Sequence, residues 1–143
     1  MFVLIDKDAV LSRSFQNNFT PTGTQIVREI PNDSWPDIDG HPANKNLCRW
    51  DTSTMRVVLK TNAALLAEYK QAQFKKLIIE VNEKSLFIIV KKQLTDTPAY
   101  AYASLVTDIK LNRTNIASAT TKPGVDAIVL AARAYYGLDS FEI

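Results

Sequence analysis

The sequence predicts an α+β fold, in which a small antiparallel N-terminal sheet is followed by a mainly helical C-terminal part. The 143 residues suit one ordinary domain, or a small β module next to a helical one. Four of the six prolines and most β-type runs lie in the first 60 residues, whereas residues 62–143 are rich in Ala, Leu, Lys and Gln. This change in composition predicts a β module over residues 1–60 and a helical module over residues 61–143.

Five short runs predict the strands of the sheet. Each run is rich in β-branched or aromatic residues, or alternates apolar and polar side chains, and turn residues bound it. We assign the strands to residues 2–5, 10–15, 24–30, 47–50 and 55–59. Pro31 ends the third run, because a proline cannot donate to a sheet ladder. Residues 31–46 are rich in Asp, Asn and Pro, and they predict a long polar loop.

Three later segments have the composition of helices. They cover residues 63–76, 99–112 and 125–136. Thr61 or Asn62 suits the N-cap of the first helix. Pro98 suits the first turn of the second helix, where no backbone N–H is required. Gly137 suits the C-cap of the third helix, and the small and polar residues 116–122 predict a loop before it.

Residues 77–90 allow two interpretations. Two apolar runs, 77–81 and 86–90, flank the polar residues 82–85. The β-branched residues favour a hairpin with a four-residue turn. The length of the segment and its flanking lysine pairs favour a continued helix. We favour the helix and keep the hairpin as the alternative.

The apolar residues of this segment also predict an interface. They occupy every face of a helix, or both faces of a hairpin, so no single side is apolar. Such an element is either enclosed on all sides or meets another subunit with its spare face. The alternative is that helices at 99–112 and 124–136 cover it completely. The interface candidates are Trp35, Ile79, Phe87, Ile89, Tyr135 and Tyr136, and we expect a homo-oligomer.

Four aromatic residues lead to separate predictions about burial or contact with a partner. Trp35 lies in the polar loop, where it either covers the core of its own module or meets a partner. Trp50 is predicted to be a core anchor, because its neighbours along the strand are polar. For the Tyr135–Tyr136 pair, the alternative to an interface is one core tyrosine and one surface tyrosine. The last residues, 138–143, are predicted to form a short tail that docks or binds a partner.

The sequence offers little for catalysis or metal binding. One cysteine, Cys48, excludes an intramolecular disulfide and is predicted to be a small buried residue. His41 is the only histidine, and nothing in the sequence supports its pairing with Cys48. Asp33, Asp37 and Asp39 lack the further acidic ligand of a calcium loop and predict a solvated turn. We therefore expect no catalytic residue, no cofactor and no metal, and a protein that is not an enzyme.

Charge and hydropathy limit the classes of partner that the sequence predicts. Seventeen Lys and Arg against fifteen Asp and Glu leave a net charge of +2, and no basic block is interleaved with aromatics, so nucleic-acid binding is unsupported. Residues 1–5 are apolar but too short for a signal-peptide core. Residues 77–90 are too short and too charged to span a bilayer. We expect neither nucleic acid nor membrane as a partner.

The order of the N-terminal elements resembles that of a known group of proteins. A hairpin over residues 1–15 leads to a strand that ends Arg28-Glu-Ile-Pro31, then to a loop with a tryptophan, and then to the hairpin with Leu47-Cys-Arg-Trp-Asp51. This layout resembles the small tail-associated and tail-fibre-assembly proteins of tailed bacteriophages and prophages, in which a Trp-Asp or Trp-Asn turn commonly precedes a helical region. The resemblance covers roughly residues 1–75.

The resemblance implies a non-enzymatic structural component of a phage tail or baseplate. Such a component would assemble with other copies of itself and with other tail proteins, in the host cytoplasm during assembly and then in the virion. The alternative is a tail-fibre assembly chaperone, which would bind a fibre and leave. A third possibility is a small cytosolic enzyme or regulator. The resemblance carries over no catalytic residue.

Overall fold

A computed structural model describes residues 1–140 and has the predicted α+β class. An antiparallel five-stranded sheet is followed by four helices. The chain divides into two compact units between Leu65 and Leu66. We call residues 1–65 the sheet unit and the described residues from 66 onward the helical unit.

The sheet unit contains the five predicted strands and one further hairpin. The strands are β1 Phe2–Asp6, β2 Ala9–Ser14, β3 Gln25–Glu29, β4 Asp37–Ile38, β5 His41–Pro42, β6 Cys48–Asp51 and β7 Arg56–Leu59. The sheet order is β3-β1-β2-β6-β7, and β4 pairs only with β5. The prediction of a long polar loop over 31–46 is wrong in part, since this stretch holds the β4–β5 hairpin and the start of a 3-10 turn, Lys45–Leu47.

Local chemistry explains the β4–β5 hairpin. Asp39 and Gly40 both have positive φ, 52° and 80°, which is the combination that a type I′ turn requires and that Asp-Gly supplies at low cost. The carboxylate of Asp37 accepts a hydrogen bond from the Gly40 N–H at 2.7 Å. These two features close the turn without any help from the main sheet.

Alternating side chains build the core of the sheet unit. Val3 and Ile5 are fully buried, and Ile5 lies opposite Val10 on one neighbour strand and Ile26 on the other. Trp50 is buried, as predicted, and Val57 is its partner across the β6–β7 pair. The period-two pattern of these strands therefore places their apolar residues on one protected face.

Trp35 belongs to this core rather than to an exposed surface. Its side chain is 9% exposed, and its indole N–H donates to the carbonyl of Ala43 at 2.8 Å. The guanidinium of Arg13 lies 4.3 Å from the ring centroid, which is a cation–π contact. Of the two alternatives for Trp35, the structure supports the first, in which the side chain covers the core of its own module. This burial does not support Trp35 as an interface residue.

Residues 77–90 are helical, and the hairpin alternative is wrong. The helices are α1 Asn62–Glu83, α2 Ser85–Thr95, α3 Tyr102–Ser118 and α4 Lys122–Tyr136. The predicted continuous helix is interrupted at Lys84, whose φ of −106° and ψ of 13° depart from helical values. Two backbone hydrogen bonds, Lys84 N–H to Glu80 and Ile88 N–H to Lys84, still span this break.

The ends of α3 differ from the prediction, whereas α4 ends at Tyr136 as predicted but begins at Lys122, three residues before the predicted start. α3 begins at Tyr102, beyond Pro98, and Ala101 precedes it with its N–H donating to the Ser104 hydroxyl at 3.1 Å. The predicted loop at 116–122 is wrong as far as Ser118, because Ile116 is buried and holds the helix in place. In α4, the Thr121 hydroxyl accepts from the Gly124 N–H, and Gly137 ends the helix in the left-handed conformation.

The helical unit has its own core. Its buried members come from all four helices and from the segments beside them: Leu77, Val81, Ile88, Tyr100, Leu105, Ala132, Tyr136 and Leu138. Ile89 and Ile109 are partly buried and pack against this cluster. One side of α2 therefore packs in this core, and the other side of that helix faces solvent.

Candidate functional site

Helix α2 has one buried side and one exposed apolar side. Ile88 is 1% exposed, whereas Leu86, Val90 and Leu94 are 74%, 38% and 66% exposed. These three residues lie four apart, so they form one row along the helix. We call this row, Leu86, Val90 and Leu94, the outer stripe. The helices at 102–118 and 122–136 therefore do not cover residues 77–90 completely, and that alternative is wrong for the single chain.

An apolar groove lies near the junction of α1 and α2. Its volume is ≈290 Å³, and its walls include the exposed Ile79 and Tyr102. Its floor includes Val81 and Leu105, which are buried core residues. Ser85, which begins α2, also lines the groove. Exposed apolar surface therefore occurs on the end of α1 and the start of α3 as well as on α2.

The predicted interface residues of the helical unit fall into two groups. Ile79 and Tyr135 are exposed, and Phe87 is half-buried with the Lys91 ammonium 5.9 Å from its ring centroid. Ile89 packs partly against the core, and Tyr136 is buried. The burial of Tyr136 within its own chain does not support it as an interface residue, whereas Ile89, which is partly buried like Phe87, stays a prediction.

The predicted C-terminal tail is partly core. Leu138 is buried, and its N–H donates to the carbonyl of Arg133 at 3.0 Å. Residues 141–143 lie outside the described residues, so for them the docking of the tail stays a prediction. The sequence prediction also missed the outer stripe, although the spacing of Leu86, Val90 and Leu94 was a signal for it.

A cluster of tyrosines joins α3 to α4. The hydroxyls of Tyr100 and Tyr135 both donate to the Asp108 carboxylate, at 2.6 and 3.0 Å. Asn112 donates to the Tyr136 hydroxyl at 2.5 Å. Burial first, and the nearby Asp108 carboxylate after it, raise the pKa of the Tyr100 and Tyr136 hydroxyls well above their usual range. These tyrosines keep their protons at neutral pH; Tyr100 and Tyr135 act as hydrogen-bond donors, and Tyr136 accepts from Asn112 while it packs in the core.

Arg133 joins α1 to the end of α4. Its guanidinium forms a two-pronged contact with the Glu80 carboxylate and also donates to Asp139 at 2.6 Å. Lys84 lies 3.3 Å from the same Glu80 carboxylate. The hydrogen bond from Arg133 is the main reason that the pKa of Glu80 is lowered from its ordinary 4.5. This contact lies four residues before the Lys84 break and holds the last turn of α1 to α4.

We expect this ion pair to give a pH-dependent contribution to stability that Glu80→Gln removes. Because the folded-state pKa lies below 4.5, the contribution is complete above that value and is lost as the pH falls through the folded-state pKa. The difference in thermal midpoint between wild type and Glu80→Gln should therefore be full at pH 7 and smaller at pH 3. Glu83→Gln, which changes an exposed carboxylate of α1, is the matched control. A difference of the same size at both pH values would contradict this role for Glu80.

The other titratable side chains of the described residues do not form a metal site. Within residues 1–140, no group of three or more His, Cys, Asp or Glu side chains could hold a metal ion. Cys48 is buried, its pKa is raised chiefly by that burial, and its thiol donates to the Asn44 carbonyl at 3.5 Å. A buried thiol with a raised pKa is a poor nucleophile at neutral pH. The candidate site is therefore an apolar surface, formed by the outer stripe and the groove.

No described helix is both long enough and apolar enough to cross a membrane. Comparison with protein-family models, with curated proteins and with solved structures finds no match.

Proposed function

We propose that this protein is a non-enzymatic assembly protein that associates with copies of itself through the outer stripe of α2. The observation that carries the proposal is the exposure of Leu86 and Leu94 on a helix whose opposite side, at Ile88, is buried in the core. A row of residues four apart is the ridge that packs into the groove of a neighbouring helix. Burial of such side chains contributes about 1.5–3 kcal/mol each, and this is the term that would offset the freedom lost on association.

The partner side chains that meet the outer stripe are predicted to be apolar. On a helix, the positions beside the stripe are Phe87 and Gln93, and neither is charged. The Lys91 ammonium lies 5.9 Å from the ring centroid of Phe87, and that of Lys92 lies 3.6 Å from the ring centroid of Tyr135 in the same chain. The stripe residues themselves carry no charge, so contact between two stripes buries no charge of their own.

The biological setting that we propose is a phage tail or baseplate. Support comes from the resemblance of the N-terminal layout to small tail proteins, including the Trp50-Asp51 turn before the helices. In that turn, the Asp51 carboxylate accepts from the Ser53 N–H at 3.1 Å and from the Ser53 hydroxyl at 2.7 Å. The proposal places the protein in the host cytoplasm during assembly and then in the virion, together with other tail proteins.

We expect Leu86→Lys and Leu94→Lys to weaken self-association while leaving the fold intact. A lysine on the stripe puts a charge where the partner is apolar, whereas in the free chain the same lysine is solvated. Static light scattering should give a lower mass for each variant than for wild type at equal concentration, with an unchanged circular dichroism spectrum. Leu130→Lys is the matched control, because Leu130 is 65% exposed but lies on α4. Equal masses for wild type and both stripe variants would contradict the proposal.

The phage setting is tested separately by mass spectrometry of purified tailed particles. Stoichiometric amounts of the chain in particles would support a structural component. Its presence in assembling lysates but not in particles would instead support the tail-fibre chaperone. Its absence from tail-assembly intermediates as well would contradict both roles, whatever the light-scattering result.

A further inference from the structure

A second surface of the helical unit has features that match a turn in the sheet unit of another copy. A groove of ≈340 Å³ runs between the first half of α1 and the last turns of α3. Phe74 and the buried Ile116 line it, and the two charged side chains in its lining are Lys70 and Arg113. We call this the basic groove. Its lining is mainly apolar, and its positive charge lies on Arg113 and on Lys70, whose ammonium donates to the Ala117 carbonyl at 2.7 Å.

The turn of the β4–β5 hairpin has the opposite character. Ile38 is 39% exposed and stands next to Asp39, which occupies the turn itself. The Asp37 carboxylate is drawn over the same turn by its hydrogen bond from the Gly40 N–H. Two carboxylate residues, Asp37 and Asp39, therefore precede and follow this exposed aliphatic residue in the chain. We call Asp37, Ile38 and Asp39 the acidic turn.

We propose that the acidic turn of one copy binds in the basic groove of a second copy. Ile38 supplies the apolar group for the contact with Phe74, and the two carboxylates face Lys70 and Arg113. Complementary charge around an apolar contact favours this occupant over an uncharged or basic one. The inference deepens the proposed function and rests on it to the extent that both require copies to associate, but it uses a surface separate from the outer stripe.

This contact joins two different patches, so it has a direction. A contact of that kind repeats from copy to copy and forms either a closed ring or an open chain. A self-complementary contact, by contrast, stops at a dimer. The proposal therefore predicts species larger than dimers, with a dependence on ionic strength that exposed ion pairs show.

Two variants test the contact, both made in a chain that also carries Leu86→Lys and Leu94→Lys so that the outer stripe is silent. Asp37→Asn with Asp39→Asn removes both charges but keeps the turn, since asparagine accepts the same hydrogen bond and tolerates positive φ. Arg113→Glu reverses one charge of the groove. Sedimentation velocity at low ionic strength should show apparent association about tenfold weaker for each variant. Asp33→Asn, an exposed acid outside the turn, is the control and should change nothing.

Mixing the two variants gives the sharper result. The Asn variant keeps an intact groove, and the Arg113→Glu variant keeps an intact acidic turn, so an equimolar mixture should form one-to-one pairs and nothing larger. If wild type associates and the stripe-silenced chain stays monomeric, the acidic-turn contact is overturned and the outer-stripe proposal stands; if wild type is monomeric as well, both fail. If that chain associates as wild type does, and the two charge variants do not, the contact stands and the outer stripe fails. Mixtures that behave like either variant alone also overturn the contact.

Discussion

Trp50→Ala is expected to destabilise the sheet unit by about 3–5 kcal/mol. Trp50 is buried on β6 and lies opposite Val57, so truncation leaves a cavity that the two-stranded end of the sheet cannot close. Both tryptophans of the chain lie in the sheet unit, so the fluorescence of the remaining Trp35 reports the unfolding of this unit during denaturant titration.

Leu59→Ala is the matched control for this experiment. Leu59 is exposed on β7, the strand that pairs with β6. Its truncation should change the free energy of unfolding by no more than about 0.5 kcal/mol. Equal denaturation midpoints for wild type and Trp50→Ala would show that Trp50 is not a core anchor.

Ile88→Ala is expected to destabilise the helical unit by about 2–5 kcal/mol. Ile88 is the fully buried residue of α2, and its side chain lies within the helical core. Far-UV circular dichroism follows this unit, because the four long helices contribute most of the signal. The transition of Ile88→Ala should move to clearly lower denaturant concentration.

Leu86→Ala, two residues earlier, supplies the comparison. In dilute protein its effect should stay within about 0.5 kcal/mol, since Leu86 is mostly exposed. The pair of variants therefore tests directly whether α2 has an inner and an outer side. Similar losses of stability from both would mean that Leu86 is also enclosed, and the outer stripe would not be a surface.

The regular parts of the fold follow from local sequence patterns. Val3, Ile5 and Val10 alternate with more exposed residues, which is why the strands of the main sheet could be predicted. Gly137 marked the end of α4 because the left-handed C-cap favours glycine. The Asp39-Gly40 pair was an equally local signal for a type I′ turn, but it lay in a stretch whose polar composition indicated only a loop.

The break between α1 and α2 falls in the polar residues 82–85, which the hairpin alternative marked as a turn, but a break between two helices was not predicted there. Residues 82–85 contain neither proline nor glycine, which are the usual causes of a sharp bend. Contacts distant in sequence accompany the break instead: the Glu80–Arg133 pair before it and the burial of Ile88 after it. The helix is apolar on most sides, so which side faces the core depends on where α3 and α4 lie. The four-residue spacing of Leu86, Val90 and Leu94 was visible in the sequence, but their exposure was not.

The outer stripe is the central claim, and the mass of the wild-type chain in solution tests it most directly. Sedimentation equilibrium across a wide range of concentration compares the measured mass with the 16.0 kDa of one chain. The account predicts a mass that rises above this value with concentration, and that returns toward it in Leu86→Lys but not in Leu130→Lys. A mass of one chain at every concentration, with the fold intact, would contradict it.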